Sequence, residues 1–195
     1  MDNRYNRYNR ILALFFVVMT GAFVSKAQDK LYPQYPESFE TGNKMNYRID
    51  DIDLPTGRWR LDNAVIQNQK YDGAVSGEYA VRMIFNNTAS AYLQMMYDLP
   101  KGASKVEFWY KGFALDKPCM FQLEYSTNKG KKWQPIGDLI VATDKQKYTK
   151  AEIDMDIDGR VRFRINKIGL GDGAKNPEIS NGRLNIDDFA VYYKE

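Results

Sequence analysis

Hydrophobic residues after position 37 recur at every second position, in short runs that Gly, Asn, Asp, Pro and Lys separate. Such alternation predicts β-strands with one buried face, and no run has a convincing helical period. Strands are predicted at 58–66, 78–85, 91–97, 104–111, 119–126, 133–140, 147–157, 160–168 and 184–194, with a short one at 37–40. Their regular spacing indicates an all-β domain, built as a sandwich or a barrel.

The first 27 residues have the pattern of a secretory signal peptide. Three arginines precede an apolar run from Ile11 to Val24, and small residues lead to Ala27. A membrane helix needs roughly 18 or more apolar residues, and this run is shorter. We therefore expect cleavage near Ala27 and a secreted or periplasmic protein.

The remaining chain is predicted to divide into a linker and one domain. Residues 28–36, QDKLYPQYP, are expected to be an N-terminal linker because proline cannot donate a hydrogen bond to a sheet. Residues 37–195 then form the β-sandwich domain. Its longest loop is expected at 169–183, and loops of that length are often functional or mobile.

Composition narrows the possible functions. Removing the signal peptide takes four basic residues and one acidic residue from totals of 28 and 25, which leaves 24 of each. A net charge of zero does not favour nucleic acid as a partner. The chain has no histidine, which excludes Ser-His-Asp catalysis and zinc sites built on imidazole. Cys119 is the single cysteine and is expected to be a buried free thiol.

The same alternation identifies side chains that face away from the core. In strand 104–111, Val106 and Phe108 point to one side, which leaves Trp109 as a large aromatic residue on the polar side. Aromatic rings and planar polar groups together suit the binding of sugars. The candidate ligand-binding surface consists of Trp109, Tyr92, Gln122, Glu124, Arg162 and Arg164. The alternative is that a loop covers Trp109 and makes it part of a second core.

The segment 126–133, STNKGKKW, resembles the Asp-box hairpin S-x-D-x-G-x-x-W, with Asn128 in the aspartate position. In that motif the Asx side chain bonds nearby backbone amides and glycine supplies a positive φ. The resemblance implies a structural hairpin, and Trp133 is expected to pack beneath it rather than to contact a ligand.

The acidic strand near 152–158 has three interpretations. Asp154, Asp156 and Gly159 resemble the start of an EF-hand calcium loop, but position twelve is Ile165 instead of glutamate. Glu152, Asp154 and Asp156 also resemble the catalytic strand of retaining jelly-roll glucanases, although Asp156 stands where that motif has glutamate. The simplest interpretation is an edge strand with an acidic solvent face.

Three further motifs span nearly the whole chain that follows the signal peptide. They are Ser38-Phe39-Glu40, the turn at 71–77 (YDGAVSG) and the segment 185–189 (NIDDF). Together with the 126–133 hairpin, they resemble jelly-roll carbohydrate-binding modules, which are galactose-binding-like accessory domains of exported bacterial proteins. The resemblance implies an antiparallel jelly-roll β-sandwich. It also implies a structural calcium ion, held by the side chains of Glu40 and Asp188 and by backbone oxygens from Asp72 to Ser76.

The last predicted strand is expected to contain an irregularity. Ile186 and Phe189 are both expected in the core, yet they are three positions apart, so strict alternation would place them on opposite faces. A β-bulge at Asp187-Asp188 would place both inward and turn a carboxylate sideways. The alternative is that Asp188 only caps a turn.

These observations predict a non-catalytic exported module that binds glycan at the cell envelope or outside the cell. The main alternative is a structural or adhesive envelope protein whose partner is another protein. A nuclease-associated nucleic-acid binder is third, which the net charge of zero disfavours, and a jelly-roll hydrolase of the glucanase kind is also less favoured.

Overall fold

Residues 28–195 form twelve β-strands and one short 3₁₀ helix in this computed structural model. The signal-peptide prediction for residues 1–27 lies outside the described residues. The strands are β1 (Asp29–Leu31), β2 (Asp50–Leu54), β3 (Gly57–Asp62), β4 (Ala64–Gln67), β5 (Ala80–Met83), β6 (Ala91–Met95), β7 (Ala103–Gly112), β8 (Cys119–Ser126), β9 (Gln134–Ala142), β10 (Thr149–Ile157), β11 (Arg162–Lys167) and β12 (Leu184–Lys194). The 3₁₀ helix, Gly171–Lys175, lies in the predicted long loop.

The strands form two antiparallel sheets of six strands each. Sheet A has the order β10-β7-β12-β5-β4, and β1 also pairs with β12. Sheet B has the order β2-β3-β6-β11-β8-β9. The predicted all-β jelly-roll sandwich is confirmed. Within residues 28–195, no helix is both long and apolar enough to span a membrane.

From residue 37 onward, strand positions follow the sequence pattern with three main differences. The run predicted at 58–66 is split into β3 and β4, because Asn63 between them has a φ of 54°. Strand β2 was not predicted, since three of its five residues are aspartates. The short strand expected at 37–40 is reduced to a single bridge between Glu37 and Phe189.

The predicted linker at 28–36 is instead part of the folded domain. Its first residues form β1, which pairs with the end of β12, and both Tyr32 and Tyr35 are buried. The Tyr32 hydroxyl donates a hydrogen bond to the Gly102 carbonyl at 2.9 Å. The two prolines of the segment, Pro33 and Pro36, lie outside β1, so they do not interrupt its hydrogen bonds.

Trp59 lies in an aromatic cluster between the sheets. Its side chain is fully buried, and the rings of Phe39, Tyr97 and Phe189 meet it edge-on at centroid distances of 6.1, 6.4 and 5.4 Å. The indole Nε1 donates to the Thr56 hydroxyl at 2.9 Å. The largest side chain of the core therefore has both a packed apolar surface and a satisfied polar atom.

Strand β12 contains the predicted β-bulge. Its register against β7 shifts between Asp187 and Ala190, and Asp188 has a φ of 46°. Ile186 and Phe189 are consequently both fully buried. The bulge also redirects the side chains of Asp187 and Asp188, and both contact the 71–77 turn on the outer side of sheet A.

We expect Trp59→Ala to lower the free energy of unfolding by about 3–5 kcal/mol, the range for truncating a buried aromatic residue. Urea denaturation followed by circular dichroism measures this loss. Leu115→Ala is the control, because Leu115 is 97% exposed and should change the stability by less than about 0.5 kcal/mol. Equal stability losses for the two variants would contradict the placement of Trp59 in the core.

Candidate functional site

Five of the six predicted ligand residues lie on the outer side of sheet B. Tyr92 is on β6, Gln122 and Glu124 are on β8, and Arg162 and Arg164 are on β11. Strand pairing places them side by side, since Arg164 lies directly opposite Glu124 on one neighbour and Gln94 on the other. We call this surface the sheet B face: the outward side chains of β6, β8 and β11, together with Trp133.

Trp109 is separate from the other five residues. It lies on β7 in sheet A, opposite Lys150 of β10 and Asp187 of β12, and is half-buried. The prediction of one surface made of all six residues is therefore corrected. Period two correctly assigned Trp109 to an outer face, but the pattern of a single strand does not reveal which sheet contains it.

Arg164 is stacked between two aromatic rings. Its guanidinium carbon lies 4.2 Å from the ring centroid of Tyr92 and 4.4 Å from that of Trp133. Both distances are within the range of attractive cation–π contacts. Glu124 holds the guanidinium in place, since its Oε2 atom is 2.5 Å from both Nε and Nη2 of Arg164. The two half-exposed rings are thus fixed on a rigid strand surface.

Glu124 connects the polar part of the sheet B face. Its other oxygen accepts hydrogen bonds from Gln122 Nε2 at 2.5 Å and Asn166 Nδ2 at 2.7 Å. Burial acts to raise the pKa of Glu124, but the donors of Asn166, Gln122 and Arg164 outweigh it and hold the pKa below its usual range. Glu124 therefore stays ionised and orients its neighbours, and it is unsuited to act as a general acid.

Arg162 has a supporting position. Its Nε donates to Asp98 Oδ1 at 2.6 Å, and the side chain is largely buried beneath the 126–133 hairpin. A Cβ at Gly130 would lie 3.6 Å from Arg162 Nη1, which shows how closely the hairpin covers the guanidinium. Arg162 therefore supports the hairpin, and its guanidinium is largely covered.

The 126–133 hairpin has the internal bonds of the Asp-box. The Ser126 hydroxyl accepts from the Gly130 amide at 2.9 Å, and Asn128 Oδ1 accepts from the Lys132 amide at 2.9 Å. Gly130 has a φ of +79°. Trp133, however, is half-buried on the sheet B face rather than packed in the core. The sequence argument missed this residue because the motif indicates a hairpin but not the surface on which its tryptophan lies.

The acidic strand β10 is an edge strand of sheet A, and its carboxylates face solvent. Glu152 Oε1 lies 2.6 Å from Lys150 Nζ, and Asp156 Oδ1 lies 2.8 Å from Lys194 Nζ. The simplest interpretation of this segment is therefore the correct one. An extended strand through 149–157 also leaves no EF-hand loop.

Three of the four residues predicted to bind calcium surround the turn at 76–79. Glu40 accepts hydrogen bonds from the amides of Glu78 and Tyr79 at 3.0 and 2.8 Å, and Asp188 Oδ1 accepts from the Ser76 hydroxyl at 2.5 Å. Within the described part of the chain, no three side chains of Asp, Glu or Cys form a cluster suited to a metal ion. Any cation at this turn would depend on two carboxylates, a hydroxyl and backbone oxygens.

Asp72, the fourth residue, has a different role. Its carboxylate is fully buried, lies 2.9 Å from Arg82 Nη1 and accepts from Asn185 Nδ2 at 3.1 Å. The carboxylate is thus already paired with an arginine, and the prediction of calcium at Asp72 concerns its backbone oxygen. The ion pair instead attaches the 71–77 turn to the outer side of sheet A.

Asp187 holds the same turn from the other side. Its Oδ2 atom accepts from the Val75 amide at 2.6 Å and from the Ser76 amide at 3.3 Å. Burial raises the pKa of Asp187 to about 7; the Val75 amide opposes that rise and neighbouring Asp188 adds to it. The sequence pattern predicted that the bulge would turn a carboxylate sideways and favoured Asp188. In the structure Asp187 is the residue that contacts the backbone amides of the turn.

No protein-family model and no curated protein sequence matches this chain. Solved structures do match its fold. The carbohydrate-binding module TmCBM61, solved in complex with β-1,4-galactotriose, is 22% identical with a TM-score of 0.54, over 85% of this chain and 99% of that chain. The CBM22-1 xylan-binding domain of Paenibacillus barcinonensis Xyn10C is 12% identical with a TM-score of 0.51, over 82% and 93%.

An adhesin domain has the same fold. The K2 cleaved adhesin domain of Lys-gingipain is 12% identical with a TM-score of 0.55, over 84% of this chain and 99% of that chain. Because each match extends over most of both chains, the similarity covers the whole sandwich. The chain therefore has the jelly-roll fold found in carbohydrate-binding modules and adhesin domains.

Proposed function

We propose that the protein is a non-catalytic glycan-binding domain that acts at the cell envelope or outside the cell. The observation that carries this proposal is the stack of Tyr92, Arg164 and Trp133 on the sheet B face. The fold that it shares with carbohydrate-binding modules supports the proposal.

The chemistry of the sheet B face suits a sugar polymer. Aromatic rings contact the apolar C–H side of a pyranose, and planar amide and guanidinium groups bond its hydroxyls. Both kinds of group are present here, and the arginines of the face are paired, Arg162 with Asp98 at 2.6 Å and Arg164 with Glu124 at 2.5 Å. A surface of paired charges favours a neutral glycan over a strongly charged one.

Binding fits the described residues better than hydrolysis does. Retaining glycosidases need two carboxyl groups about 5–5.5 Å apart, one of them with a raised pKa. The candidates Glu152 and Asp156 are exposed on an edge strand, each beside a lysine. Glu124, the carboxylate of the sheet B face, is held ionised by its donors.

We expect Trp133→Ala to weaken glycan binding by about 2 kcal/mol, or roughly thirtyfold, because large aromatic contacts dominate such interfaces. A glycan array first identifies a bound sugar, and isothermal titration calorimetry then compares the variants. Trp109→Ala is the matched control: it removes a tryptophan from the outer side of sheet A and should leave the affinity unchanged. A loss of affinity for Trp109→Ala with none for Trp133→Ala would overturn the assignment to sheet B.

An adhesive role with a protein partner is the second candidate. It is favoured by three apolar side chains that are 47–51% exposed: Met120 on the sheet B face, and Leu139 and Val141 on the neighbouring strand β9. Met120 and Val141 lie directly opposite each other on β8 and β9. A blank glycan array, together with capture of an envelope protein that Val141→Lys abolishes, would favour this role.

The proposal that the protein is exported rests on its first 27 residues. We expect native material to begin at Gln28 and to be found outside the cytoplasm, because the charged, apolar and small-residue regions follow the signal-peptide order. Intact-mass measurement checks this, and a mature protein that retains Met1 would contradict it.

We also propose that the turn at 76–79 binds calcium through Glu40, Asp188 and the Ser76 hydroxyl. Calcium takes six to eight oxygen ligands, so backbone carbonyls and water would complete the site. A ligand that binds only the folded state stabilises it, so we expect calcium to raise the melting temperature and a chelator to lower it. Glu40→Gln should remove the difference between the two conditions, whereas Glu152→Gln, on exposed β10, should retain it. Identical melting curves with calcium and with chelator would contradict the proposal.

A further inference from the structure

A cavity of about 770 Å³ lies at the end of sheet A where β12 begins. Its walls come from the segment 69–73, from the loop after β7 and from the loop before β10, with Arg183 at its edge. It does not include any residue of the sheet B face. Its volume is within the usual range for small-ligand sites, about 300–1,000 Å³.

Basic residues outnumber acidic ones around this cavity. Arg183 is neutralised by Asp116, with Nε and Nη2 at 2.7 and 2.8 Å from the two carboxylate oxygens. Lys70, Lys111 and Lys145 also line the cavity. None of these three has a carboxylate oxygen within 4.0 Å among residues 28–195. Three ammonium groups therefore surround the cavity without a direct counter-charge.

Lys111 is the unusual member of this group, because its side chain is buried. It is 7% exposed, and its Nζ donates one hydrogen bond, to the Tyr71 carbonyl at 3.2 Å. Its other close contact is the ring of Tyr148, with the centroid 4.9 Å away. An ammonium group has three donors, so Lys111 retains donor capacity beside the cavity. Burial lowers the pKa of Lys111 while the charges of Asp72 and Asp144 act to raise it, and a bound anion would add to that compensation.

The cavity also offers an aromatic wall. Tyr71 is 53% exposed and is held edge-on against Phe113, with the ring centroids 6.0 Å apart. Phe113 is in turn covered by the Arg183 guanidinium at 3.9 Å. The exposed part of the Tyr71 ring is thus fixed next to the lysines. A ligand that fits this arrangement combines a negative charge with a ring that has an apolar side.

We propose that this cavity is a second binding site, specific for the carboxylate-bearing pyranose of an acidic sugar. Lys111 and Lys145 bind the carboxylate, Tyr71 stacks against the sugar ring, and the exposed amides of Gln69 and Gln146 lie within reach of hydroxyls. The site differs from the sheet B face in location and in charge. Its ligand class is therefore distinct from the neutral glycan proposed for sheet B.

The test is calorimetric titration of the protein with trigalacturonate, with neutral galactotriose and with inorganic sulfate at low salt. We expect trigalacturonate to bind at least about tenfold more tightly than galactotriose, as charge-assisted hydrogen bonds imply. Lys145→Ala and Tyr71→Ala should each weaken trigalacturonate binding by about tenfold. Both side chains are accessible at the cavity, so neither change should unfold the domain, and melting curves check this.

Two control variants distinguish binding in the cavity from binding elsewhere on the domain. Lys175→Ala removes one charge from an exposed position outside the cavity, and Trp133→Ala alters the sheet B face. Neither should change trigalacturonate affinity. Sensitivity to Trp133→Ala with insensitivity to Lys145→Ala would place the acidic sugar on sheet B and overturn this proposal. Sulfate binding as tight as that of trigalacturonate would overturn the assignment to a sugar.

Discussion

The fold depends on how its last strand buries two residues that strict alternation would place on opposite faces of the sheet. Ile186 and Phe189 must both be buried, but an ideal strand would place one of them outside. The extra residue of the bulge at Asp187-Asp188 resolves this conflict, and Phe189 then stacks on Phe108 with a centroid distance of 5.9 Å. Because Phe189 also contacts Trp59, the aromatic core between the sheets depends on this single irregularity.

The bulge also determines the difference between the two outer faces. It directs Asp187 to the backbone of the 71–77 turn, while Asp72 and Arg82 fix the start of that turn on sheet A. Sheet A is therefore partly covered by a loop, and the cavity forms where this cover ends. On sheet B, Tyr92 and Arg164 instead stand directly on the strands. Rigid strands and a tethered loop thus give two kinds of surface in one domain.

Strand periodicity predicted most of the fold, because a strand with one buried face alternates apolar and polar residues. The prediction failed for β2, in which three of five residues are aspartates, and for β1, where the nearby prolines suggested a linker. The candidate site was predicted in part: five residues of the sheet B face were found, but Trp133 was placed in the core and Trp109 was added from the other sheet. Which outward side chains share a surface depends on the order of strands within a sheet, and that order follows from long-range pairing.

The pairing of β1 with β12 determines where anything joined to the domain would emerge. Lys30 and Glu195 form an ion pair at 2.7 Å, and the Glu195 amide donates to the Gln28 carbonyl at 3.3 Å. Both ends of the sandwich thus leave from one point, at the opposite end of β12 from Arg183. At roughly 3.3 Å per residue, the eleven residues of β12 separate that point from the cavity by more than 30 Å. A surface anchor, a reporter protein or a resin attached at either end would therefore lie at the end of β12 remote from the cavity.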